Sequence, residues 1–183
     1  MKRIISLMLV IVLAVSLCSC SFNNGAVGAI KKYYQAIIDR DGEALFEVNE
    51  DPQRLEDRLD DSVYLNENDI HTAYDRTAKD LCDSYEEDLG EDLSVSVEKK
   101  NSTRYNKDDA KKINIYLKEA HGYPANYVTE VVVVTAKITI TGSRGRRSHT
   151  EEYIVSKIDG KWYVNNLPGV PDKEALERII KKH

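Results

Sequence analysis

Cysteine is scarce in this chain, with only Cys18, Cys20 and Cys82 among 183 residues. A chain of this length buries about two-thirds of its unfolded surface, so its core needs no disulfide framework. Histidine is equally thin. His71, His121, His149 and His183 form no His-x-x-x-His pair, and no Cys pair accompanies them, so there is no local zinc signature. Gly-x-Ser-x-Gly elbows and glycine-rich phosphate loops are missing as well. The acidic stretch Asp83–Asp92 lacks the Asp-x-Asp-x-Asp-Gly spacing of an EF-hand loop. No metal and no cofactor is expected. Positive charge is in deficit, with 26 Lys+Arg against 31 Asp+Glu, which argues against general nucleic-acid binding. Two Phe and one Trp against eleven Tyr make Tyr the large amphipathic filler.

What is present begins with an address. Met1-Lys2-Arg3 gives a positive start, and Ile4–Leu17 is a 14-residue apolar run interrupted only by serine. That run is short of the roughly 20 residues a spanning helix needs, and it fits the apolar segment of a signal peptide. Leu17-Cys18-Ser19-Cys20 follows and resembles the bacterial lipobox. The resemblance implies cleavage before Cys20, which becomes the lipid-bearing N-terminus, with residues 1–19 removed as a lipoprotein signal peptide. Residues 20–25 then form a short tether that reaches at most about 18 Å, and residues 26–183 form one domain. Only Cys82 is left as a free thiol. It falls on the apolar face of a helical pattern, so it reads as buried and inert.

Within the domain, Val27, Ile30, Tyr33, Tyr34, Ile37 and Ile38 recur at helical spacing, ending at Asp39-Arg40-Asp41-Gly42 with Gly42 suited to a left-handed position. Glu43–Val48 reads as a short helix, and Asp51-Pro52 opens another. Asn68 or Asp69 starts a longer helix that runs to Gly90. Residues 93–97 alternate as a strand, and Asn106 caps a helix stopped by Gly122 and Pro124. Tyr127–Thr141 is long and β-branched. Its even positions Val128, Val132, Val134, Ala136, Ile138 and Ile140 form an apolar face, broken by Glu130. His149–Ile158 is the next strand, and Asp159-Gly160 joins it to Lys161–Val164 as a two-residue hairpin. That link sets Lys157 opposite Trp162, Val155 opposite Val164 and Tyr153 opposite Asn166. Asp172–Lys182 is a terminal helix. Helices followed by a strand meander give an α+β domain with helices packed on one face of an antiparallel sheet.

The opening AVGAIKKYYQAIIDRDGEALFEV and the closing IVSKIDGKWYVNN resemble the two ends of the nuclear-transport-factor-2-like superfamily, which includes SnoaL-type and ketosteroid-isomerase-like proteins. The resemblance implies N-terminal helices on a curved antiparallel sheet, a cystatin-like cone. Small lipoproteins of Gram-positive bacteria often carry such domains. A cone of this kind leaves two functions open. One is a non-catalytic binding or interaction domain for a small apolar or peptidic ligand. The alternative is a small cavity enzyme of ketosteroid-isomerase or dehydratase type, using a carboxylate and a tyrosine. Its candidate residues are Glu130 with Tyr33, Tyr34, Tyr74 and Tyr116, although Glu130 also fits a strand end at the sheet rim.

Charge is unevenly placed. Residues 50–92 carry a net −12 and residues 93–183 a net +6. The basic loop of Arg144, Arg146 and Arg147 is a candidate contact for lipid headgroups or wall polymer. Apolar positions on both faces near Val131–Val134 suggest a homodimer through the sheet face. The expected setting is extracytoplasmic, held to the cell membrane by the N-terminal lipid.

Overall fold

The computed structural model describes residues 25–60 and 66–183. The expected signal peptide, Cys20 and the expected tether up to Asn24 lie outside the described residues. The helices are α1 (Ala26–Ile38), α2 (Gly42–Asn49), α3 (Pro52–Asp60), α4 (Glu67–Leu89), α5 (Lys107–His121) and α6 (Lys173–Lys182). The strands are β1 (Ser94–Arg104), β2 (Val128–Gly142), β3 (Gly145–Ile158) and β4 (Lys161–Val164), an antiparallel meander in the order β1-β2-β3-β4. The fold is α+β.

Local chemistry explains most boundaries. Asn106 accepts from the backbone N–H groups of Asp108 and Asp109 at 2.8 and 3.0 Å, and Asp109 returns the bond to the Asn106 N–H, a full capping box. Gly122 then takes the left-handed position that closes α5. The long helix starts from Asn66 rather than Asn68 or Asp69. Asp69 is the reciprocal partner in its capping box. At the end of α1 the left-handed residue is Arg40, with φ of +53°, and not Gly42. Gly42 instead opens α2, capped by Asp41, and lies directly against the backbone of Asp75 on α4.

The N-terminal helices cover one face of the sheet. Val132, Val134, Ala136, Ile138 and Ile140 pack with Tyr153, Val155 and Val164 beneath Ile30, Tyr34 and Ile37 of α1 and Ala78 of α4. Helix α1 touches both edge strands, β1 and β4. Four strands span about 14 Å between edges while a helix is only about 10 Å wide. The sheet must therefore curl around α1. Cys82 is fully buried in this layer, where its thiol donates to the Ile38 carbonyl at 3.4 Å. Burial pushes the thiol pKa up, against its activation.

The opposite face differs from the one-sided arrangement expected of the sequence. A register shift between Val128 and Glu130 inserts an extra residue, so Val128 changes side. It joins Val131, Val133, Ile154, Ile158 and Tyr163 under Ile113 and Leu117 of α5 and Leu176 of α6. Val131 and Val133 are thus covered by the chain's own last two helices, and Val132 and Val134 by the N-terminal ones, which removes the feature that suggested a homodimer. Beyond these helices the same face is polar, with rows such as Glu98–Lys137–Thr150 and Ser96–Thr139–Ser148. The hairpin at Asp159-Gly160 has positive φ at both residues, +47° and +81°, and pairs Lys157 with Trp162 and Val155 with Val164 as read from the sequence. The further pairing of Tyr153 with Asn166 does not form. Asn165, with φ of +50°, ends the strand, and its side chain accepts from the Ile154 N–H.

Candidate functional site

The four candidate tyrosines fall in three separate places. Tyr116 is on α5, behind the sheet, beside His121 and His183. Tyr74 on α4 donates to Glu50 Oε1 at 2.8 Å. Only Tyr33 and Tyr34 are together, edge to face with ring centroids 5.2 Å apart. Glu130 meets none of them. It stands at the rim of the sheet, where Oε2 accepts from Arg104 at 2.7 Å and Oε1 from Lys157 at 3.1 Å. Lys157 Nζ also lies 5.7 Å from the centre of the Trp162 ring. Arg104, Glu130, Lys157 and Trp162 therefore form a continuous row across all four strands.

This row borders two grooves. The larger, of about 800 Å³, runs along α1 between α2 and the β3–β4 hairpin. Ala29, Ala36, Ala44 and Val48 give it an apolar floor, Trp162 an aromatic wall, and Lys32, Lys161, Asp39, Asp41, Glu47 and Asp159 its charged lining. Lys161 and Glu47 pair across it at 3.6 Å. The smaller, of about 230 Å³, has Val27, Val132 and Val134 beneath Lys99, Ser102 and Arg104. Gly25, the first described residue, lines both. Among the described residues, neither lining includes a tyrosine.

Two polar networks lie elsewhere, and sequence reading missed both. The first joins α1 to the half of β3 that β4 does not reach. Tyr153 donates to Glu151 at 2.8 Å, Tyr34 and Tyr153 share a bond of 2.8 Å, and Tyr34 meets His149 Nε2 at 3.1 Å. The carboxylate fixes the direction of this chain. Tyr153 gives its proton to Glu151, so Tyr34 donates to Tyr153 and His149 Nε2–H donates to Tyr34. Burial pushes both hydroxyl pKa values upward, which keeps the protons in place. The hydroxyls bond to one another and line neither groove. A signal was available, because His149, Glu151 and Tyr153 alternate on one strand face.

The second network surrounds Glu50, whose side chain has no exposed surface. Arg58 and Tyr74 reach Oε1, while Arg54 Nε stands 3.3 Å from Oε2. Beside it, buried Asp51 caps α3 through the Gln53 N–H and accepts from Asn166 at 3.1 Å. Glu50 and Asp51 sit in an acidic stretch that reads as solvated, so nothing local marks them as buried.

The three arginines of the β2–β3 turn do not form a common patch. Arg144 donates to the carbonyls of Glu86 and Glu87 at the end of α4, acting as its C-terminal cap. Arg147 pairs with Asp88 at 3.3 Å. Arg146 sits on the opposite side of the strand, across from Thr141. Arg144→Ala is expected to cost about 1 kcal/mol in urea unfolding, whereas Arg146→Ala stays within about 0.5 kcal/mol. Equal effects would contradict this division of roles.

Among the described residues there is no cluster of His, Cys, Asp and Glu fit for a metal, and no helix long and apolar enough to cross a membrane. No family profile, no curated protein and no solved structure matches the chain.

Proposed function

We propose that the chain is an extracytoplasmic lipoprotein, anchored to the membrane through Cys20, whose domain binds a small apolar or peptidic ligand without chemistry. The observation that carries the binding reading is the larger groove. Its volume lies in the range of small-molecule sites, and its apolar floor and aromatic wall match the usual lining of such sites, with charged side chains of both signs around them. The alternative enzyme reading needs a carboxylate and a tyrosine facing one cavity. Glu130 is held between two cations, and the Tyr34–Tyr153–Glu151 chain bonds internally. None of Glu130, Tyr34, Tyr153 and Glu151 lines either groove.

The chain's single tryptophan lines this groove, so it reports occupancy without labelling. Titration with the amphipathic dye anilinonaphthalene sulfonate is expected to show saturable energy transfer from Trp162. Ala44 is half-buried at the floor, and Ala44→Phe is expected to weaken dye binding about tenfold while leaving the unfolding midpoint near its original value. Dye binding that is absent, or unaffected by Ala44→Phe, would remove the groove from consideration.

A further inference from the structure

The placement of Gly25 decides which end of the domain meets the lipid. Gly25 lines the smaller groove together with Val132 and Val134, near the start of β2. The Arg144 turn follows Gly142, at the other end of that strand. Eight to ten residues of extended chain separate the two ends, about 30 Å. Helix α1 runs the same way, from Gly25 toward Arg40, which binds Asp83 and Glu86 near the end of α4. A tether of five residues from Cys20 reaches at most about 18 Å. The Arg144 turn therefore stands on the side away from the anchor.

We propose that the surface around Gly25, made by Lys32, Lys99, Arg104, Lys157, Lys161 and Trp162, is a membrane-contacting face for anionic phospholipid headgroups. The proposal rests on the lipoprotein reading above. Trp is the side chain that settles at the headgroup level with one edge apolar and one wet, and lysine and arginine accompany it there. Trp162 is half-buried beside the exposed hairpin tip of Asp159, Gly160 and Lys161. Five cations on this surface face three carboxylates, Glu47, Glu130 and Asp159, which leaves it net positive. Among the described residues, Lys32 and Lys99 have no ion-pair partner at all. The groove's remaining carboxylates, Asp39 and Asp41, lie beyond the far end of α1, about 20 Å from Gly25. The far end sets the six carboxylates of Asp83–Asp92 against Arg40, Arg144, Arg146 and Arg147, so it stays net negative and an anionic surface repels it. Both ends thus favour one orientation, basic end inward.

The test uses full-length protein reconstituted in vesicles whose lipids carry bromine on the upper acyl carbons, which quenches an indole held at the interface. In phosphatidylglycerol vesicles Trp162 emission is expected to be quenched. The quenching is expected to fall by about half in phosphatidylcholine and in a Lys32→Glu, Lys99→Glu variant, as a surface-charge effect requires. Arg146→Ser at the far end should leave it unchanged. Protein that floats with the vesicles while Trp162 stays unquenched and open to aqueous acrylamide would overturn the membrane face alone. Protein that fails to float at all would overturn the anchor, and this surface with it.

Discussion

Replacing Arg54 and Arg58 together with methionine is expected to destabilise the domain by about 3–5 kcal/mol, the cost of stranding a buried carboxylate. The carboxylate is Glu50. Its side chain has no exposed surface, whereas those of Arg54 and Arg58 are 31% and 38% exposed. The asymmetry matters. If Glu50 is removed, both guanidinium groups can turn to water, but if the arginines are removed, Glu50 cannot. The same double replacement made in a Glu50→Gln background should therefore cost under about 1 kcal/mol, and the difference measures the coupling. Urea unfolding of the four proteins checks this. Additive costs would show that the acidic middle of the chain is held by something other than this network.

Gly42→Ala is expected to cost about 2 kcal/mol or more, although alanine is the better helix former by about 1 kcal/mol. A methyl group there would stand 2.5 Å from the backbone N and Cα of Asp75, which are parts of a helix and not the flexible end of a side chain. Helices α2 and α4 must separate to admit it. Gly25→Ala is the matched control, since a methyl group there has nothing within 4 Å. It should be nearly neutral in the same urea series. A neutral Gly42→Ala would mean that the two helices are not packed as described.

Gly42 also shows where sequence reading succeeds and where it stops. Features set by a few adjacent residues were legible. Asp159-Gly160 specified its turn and register because both residues must adopt positive φ, and Asn106 with Asp109 specified a helix start. In the sequence Gly42 looks like a local turn residue, because nothing nearby reveals that another helix lies against it. Strand β1 continues to Arg104, seven residues past the alternation at 93–97, because Glu98–Arg104 pairs through its backbone while its side chains stay largely in water. The apolar strip at Val131–Val134 was legible, but its cover was not. Periodicity shows that α5 and α6 have an inner face without showing which side of the sheet receives it. The extra residue at Thr129 reversed the side assigned to Val128.

The candidate site follows the same division. Glu130 stood out in the sequence as a charge within an apolar strand, and its partners Arg104 and Lys157 are 26 and 27 residues away. Only the sheet register brings them into one row with Trp162. Tyr34 stands out by residue type alone, and its partners His149 and Tyr153 lie more than 110 residues away. The three arginines at 144–147 formed a basic loop in the sequence, and the fold directs Arg144 and Arg147 to the acidic end of α4. The surface around Gly25 is instead assembled from α1, β1, β3 and β4, which no local window contains.

The claim on which the functional account depends is attachment through Cys20, and the most direct measurement is the intact mass of the protein isolated from membranes of a bacterial host. The account predicts a chain that begins at Cys20 with diacylglycerol on its thiol, and a Cys20→Ala variant that lacks this lipid. A mature N-terminus elsewhere, or an unmodified thiol at Cys20 in membrane-bound protein, would contradict it.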